Sequence, residues 1–133
     1  MASADRAAAL AQAIPEHEWM IAAIHESAHA VAYHHFGHQI KSIKLFAGGS
    51  GAALGEVTSP AGTYSPLTKA VASLSGPTAE HKYSRRPWHE LTRTVAHTDM
   101  AMAQCALARM GGFAPSLASV IGLTQSLSSA AGR

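Results

Sequence analysis

The sequence predicts a mainly helical α+β domain with a small β-hairpin, and three features of the chain carry that reading. Alanine is abundant, which favours helix and lets helices pack closely. Met20, Ile21, Ile24, Ala28, Val31 and Ala32 recur at spacings of three and four, the pattern of one apolar helix face. Ile43 and Leu45 alternate with Lys44, ahead of a glycine-rich turn, Gly48-Gly49-Ser50-Gly51, and a second apolar pair, Leu54 and Val57. Such a pattern reads as two short strands joined in a hairpin.

Taken in order, residues 3 to 13 form a short Ala-rich helix. Pro15 restarts the chain at the first turn of a second helix, with Glu16 and Glu18 near its positive end. This helix runs to about His35, and Gly37 stops it. The first strand covers residues 39 to 46, and Pro60 and Pro66 bracket a loop after the second. A third helix spans Leu67 to Ser75, is interrupted at Gly76-Pro77, and resumes over Thr78 to Tyr83. Pro87 marks another break before a helix from Trp88 to Val95. Thr98 is the N-cap of a last strong helix, Asp99 to Met110, ended by Gly111-Gly112. The expected domain is single, with its core at about residues 15–112. Residues 114–133, rich in Ser, Ala and Gly, form a weakly structured tail, a weak helix or a mobile end, with no assigned role.

The 133 residues suit one domain with one core. At 47% hydrophobic and 14% charged the chain is globular and not disordered. Ten Lys and Arg against eight Asp and Glu give a formal charge of only +2, no electrostatic basis for binding nucleic acid or an acidic membrane. Lys82, Arg85 and Arg86 read as a solvated turn. Cys105 is the only cysteine, so neither an internal disulfide nor a cysteine-based zinc site can form, and a reducing, cytoplasmic setting fits. No apolar run approaches the roughly 18 residues that span a bilayer. The N-terminus, with Asp5 and Arg6, lacks the pattern of a secretory signal.

Nine histidines stand out against this background. His25 and His29 lie four apart on the second helix, so their imidazoles project from one face. Two imidazoles so placed can share one zinc ion. Glu26 sits beside them, within reach of a water whose pKa zinc lowers to about 7. A carboxylate there can take the proton and later return it to a leaving amine. These roles are the mechanical content of the H-E-x-x-H pattern, met here as His25-Glu26-Ser27-Ala28-His29, and they point to peptide-bond hydrolysis.

A hydrolytic zinc site takes a third protein ligand and keeps one open position. Glu56, Glu80, Glu90, Asp99 and His35 are the candidates. His35 would complete the longer H-E-x-x-H-x-x-G-x-x-H pattern, but Ala32 stands where the turn-forming glycine belongs. If the helix continues, His35 falls roughly a third of a turn off the ligand face. Asp99, at a helix start, would be kept ionised by free N–H groups. Spacing alone leaves its ligand reading level with a capping role.

Ile24-His25-Glu26-Ser27-Ala28-His29-Ala30-Val31 resembles the zinc helix of the FtsH-type proteases, whose pattern is close to H-E-A-G-H-A. Ile40 to Leu45 and then Ala53-Leu54-Gly55 look like that family's strand pair. Ser75-Gly76-Pro77-Thr78-Ala79-Glu80 looks like its Gly-Gly-Arg-Ala-Ala-Glu segment, and Thr98-Asp99-Met100 with Ala103 to Met110 looks like its Asn-Asp-Leu helix. The resemblance spans about residues 20 to 112. It implies a helical zincin-like peptidase fold, one zinc per chain and Asp99 as third ligand. It also places Glu80 behind a ligand histidine and makes the strand holding Leu54 and Gly55 an edge on which an extended peptide pairs. The departures are Ala28 for glycine, Pro77 within the expected helix, and the lack of a membrane segment and of any Walker-type loop. The expected substrates are therefore peptides, flexible segments, or proteins prepared by a separate ATPase partner. The alternative is a zinc-bearing module of the same fold that binds a peptide or partner without turnover.

Overall fold

The computed structural model describes residues 3–48, 51–58, 64–93, 97–111 and 116–131. Its elements are α1 (Ser3–Ala13), α2 (Glu16–His35), β1 (Ser42–Ala47), β2 (Ala53–Thr58), α3 (Pro66–Ser84), α4 (Trp88–Arg93), α5 (His97–Ala108) and α6 (Leu117–Ala131). The chain is thus mainly helical, with one two-stranded antiparallel sheet. Among the described residues, no helix is long and apolar enough to cross a membrane.

α2 begins and ends where the sequence places it. Gly37, at φ +84°, closes it. The Gly37 N–H donates to the His34 carbonyl at 2.9 Å and the His38 N–H to the Tyr33 carbonyl at 3.0 Å, the paired bonds of a Schellman stop. Its buried face is only in part the expected apolar one, since Ile21 and Ala32 are buried. Met20 and Val31 are exposed, while Ile21, Ala22, His25, Glu26, His29 and Ala30 are buried, a stripe repeating every four residues. The polar motif therefore faces inward. β1 starts at Ser42, later than expected, and pairs with β2 from Ser42↔Thr58 to Ala47↔Ala53. The hairpin packs on α2, chiefly through β2.

α3 corrects the expected break at Gly76-Pro77: it is one helix from Pro66 to Ser84 with Pro77 inside it. Ser65 caps its start, accepting from the Thr68 N–H at 3.1 Å, and Arg85, at φ 60°, ends it. Pro77 has no N–H for the Ser73 carbonyl, and Gly and Pro together cost about 4 kcal/mol of helix propensity. Packing overrides this. α3 is buried on all sides from Ala70 to Glu80, with α2, α5 and α6 around it. Fully buried Val71 and Leu74 alone contribute about 1.5–3 kcal/mol each. The hydroxyls of Ser75 and Thr78 flank the proline and donate to the carbonyls of Val71 and Leu74, both at 2.7 Å.

Two further expectations are corrected. Thr98 does not precede the helix it was expected to cap, since α5 starts at His97 and Thr98 lies in its first turn. The weakly structured tail contains α6, which carries part of the core. Val120 packs with Ala70, Val71, Leu74, Ala103, Ala106 and Leu107, and buried Thr124 bonds to Thr78 between hydroxyls at 3.0 Å. Alanines on α3 and α5 let those helices approach closely. α4 covers Trp88–Arg93, and the rest of that expected helix, with the Pro60 and Gly112 assignments, lies outside the described residues.

Candidate metal centre

The inward stripe of α2 delivers two imidazoles against α3 and the start of α5. His25 Nε2 lies 2.9 Å from Asp99 Oδ2, and His29 Nε2 lies 3.4 Å from the same oxygen. His25, His29 and Asp99 form a buried to half-buried group that can hold a metal ion, with one ligand atom from each all within 4.8 Å of one another. Donors around a tetrahedral zinc at about 2.0–2.1 Å stand roughly 3.3 Å apart, so the two observed spacings fit such an ion. The Asp99 carboxylate is turned toward both histidines.

The tautomers suit the same purpose. His29 Nδ1–H donates to the Ala72 carbonyl at 2.6 Å, which fixes the ring with Nε2 toward Asp99. His25 Nδ1 lies 3.6 Å from Glu80 Oε2, and neither atom has a hydrogen-bond partner among the described residues. Glu80 is only 3% exposed, so a buried carboxylate stands beside the His25 ring. Burial by itself would lower the His25 pKa, but the Asp99 and Glu80 carboxylates outweigh it and push it up to about 9. Burial would likewise raise Asp99, but its bonds to His25 and His29 bring it down to about 2. The two carboxylates therefore favour the imidazolium form of His25.

Comparison with protein-family models and with curated proteins gives no match.

Two glycines make room for this arrangement. A Cβ at Gly76 would collide with His29 Nε2 and come within 2.7 Å of His25 Nε2, so only glycine lets α3 approach the donor atoms. A Cβ at Gly55 would collide with Glu26 Cγ and lie 2.9 Å from Leu45 Cδ2, so β2 passes directly over the Glu26 stem. Burial raises the Glu26 pKa, the histidines work against that, and Asp99 and Glu56 add to it. Glu26 is thus a carboxylate with more than ordinary proton affinity.

Glu26, both histidines, Asp99 and Glu80 line one cleft of about 930 Å³, and Leu54 and Gly55 of β2 form its far wall. The other third-ligand candidates lie outside this donor group, although Glu56 is near enough to raise the Glu26 pKa. His35 is exposed at the end of α2 with its ring against Phe36, Glu56 is exposed on β2, and Glu90 is exposed on α4. Arg86, from the expected basic turn, also reaches the cleft and pairs with Glu18 at 2.6 Å. Sequence reasoning took Gly76 for a breaker and passed over the Ala72 carbonyl, Tyr33 and Lys69. A Gly-Pro pair inside an otherwise helical window was the one available signal of a close approach.

Proposed function

We propose that this chain is a zinc metallopeptidase of the FtsH type, with His25, His29 and Asp99 as metal ligands and Glu26 as general base and then acid. One observation carries this reading. The three donors converge at the floor of an open cleft, with Glu26 beside them and a strand edge opposite. The kinship is supported by the order of the parts, since the motif helix, the Ala53-Leu54-Gly55 strand, Glu80 and Asp99 all meet at one place. Two imidazoles and a carboxylate suit zinc among the divalent metals.

Bound zinc would supply Lewis acidity, acidifying a water and polarising the scissile carbonyl. The Glu26 carboxylate would take a proton from the attacking water as the water oxygen bonds to the carbonyl carbon. The C–N bond then breaks, and Glu26 returns the proton to the departing nitrogen, which leaves as an amine. Its raised proton affinity favours the first transfer. Ala72 and Glu80 hold the histidine rings in place. The substrate is a peptide or flexible segment lying extended along β2, presented free or by a separate ATPase, and the single cysteine fits a cytoplasmic setting.

The test joins metal content to turnover. Protein purified without added metal should carry about one zinc per chain, lost in His25→Ala and Asp99→Ala. Glu26→Gln should keep the zinc and lose roughly 10²–10⁴-fold in peptide cleavage. One zinc per chain with no cleavage by the unaltered protein would favour a binding module. No zinc after reconstitution would end the metallopeptidase reading.

A further inference from the structure

The ends of the cleft are built differently. At one end Glu18 and Arg86 neutralise each other. At the other, Tyr33 of α2 and Lys69 of α3 line the wall. Lys69 Nζ donates to the Tyr33 hydroxyl at 3.2 Å and lies 5.9 Å from the ring centroids of both Tyr33 and Tyr64. Those rings stand 4.9 Å apart, and His38 packs on Tyr64 at 4.5 Å, so the lysine is held in an aromatic corner. No carboxylate among the described residues pairs with Lys69. A half-buried ammonium without an anion carries a desolvation cost that a carboxylate would offset. A lysine kept only for solubility would extend its charge into water.

We propose that Lys69, steadied by Tyr33, is a specificity subsite for a carboxylate of the bound peptide, either an acidic side chain or the terminal carboxylate. This rests on the peptidase reading and adds the substrate class. Tyr33 lies one helical turn, about 5.4 Å, beyond His29. An extended chain advances about 3.3 Å per residue, so the carboxylate falls within a few residues of the cleaved bond.

The test uses neutral peptides in which one glutamate is moved along the chain, each beside its glutamine twin, with free and amidated C-termini. The unaltered zinc protein should cleave one glutamate peptide about tenfold faster in kcat/KM than its twin, the scale of a charge-assisted hydrogen bond in a partly solvated site. If the terminal carboxylate is the ligand instead, glutamate and glutamine twins are cleaved alike and the free C-terminus is preferred about tenfold over the amidated one, which also counts as an acidic preference. Lys69→Met should bring the ratio near one, and Lys69→Glu should turn it toward a lysine-bearing peptide. A purely structural lysine would lower both rates and leave their ratio unchanged. The same pairs are titrated by fluorescence anisotropy against Glu26→Gln. Cleavage with no acidic preference would overturn the subsite and leave the peptidase reading. No cleavage, but tighter acidic binding lost in Glu26→Gln/Lys69→Met, would keep the subsite and overturn the peptidase. Neither preference nor binding would overturn the subsite.

Discussion

At the scale of single residues, the proton on His25 links pH to both stability and metal binding. Its folded pKa of about 9 exceeds the usual 6.5, so its contribution to stability is complete below pH 6.5 and is lost as pH rises through about 9. Asp99 runs the other way. Lowered from 3.8 to about 2, it contributes above pH 3.8 and loses that contribution as pH falls through about 2. The two shifts describe one contact cluster and are counted once, at about 2–3 kcal/mol. Zinc held as proposed would displace the His25 proton, so its affinity should rise about tenfold per pH unit up to about pH 9 and then level off. Metal-free stability should fall over the same upper interval. Chelator competition and urea midpoints between pH 6.5 and 9.5 measure the two trends, and parallel rather than opposed trends would remove His25 as the linking group.

At the scale of elements, α3 shows local preference yielding to the site. Gly76→Ala would normally stabilise a helix by about 1 kcal/mol. Here its Cβ would enter the space of the donor nitrogens. The variant should keep its helical circular dichroism and lose stoichiometric zinc binding, as read by metal analysis after dialysis. Zinc bound at unaltered affinity would show that the close approach of α3 is dispensable. The same helix explains why its continuity was hidden in the sequence. Gly76-Pro77 is a genuine breaker by propensity, and burial on all sides is a property of the neighbours.

At the scale of the whole molecule, α6 closes the core against α3 and α5. Val120 is fully buried against α3 and α5, so Val120→Ala should cost about 2 kcal/mol, measured by urea denaturation. A change under about 0.5 kcal/mol would mean that α6 packs only loosely. Zinc stoichiometry should survive this substitution, because the ligands come from α2 and α5.

The sequence by itself determined the fold class, the motif helix with its stop at Gly37, and the hairpin, because each is written in local periodicity and turn chemistry. It also determined that His25, Glu26 and His29 share a helix and which acidic residues were few enough to be third-ligand candidates. Only the tertiary structure decided that α2 buries its histidine stripe and leaves Met20 and Val31 outside. It alone carried α3 through Pro77, made the serine-rich tail part of the core, and turned Asp99 toward the histidines across 74 residues of chain. The physical reason is common to all four. Which face is buried, and which carboxylate meets which imidazole, depends on helices distant in sequence, and no local preference encodes them.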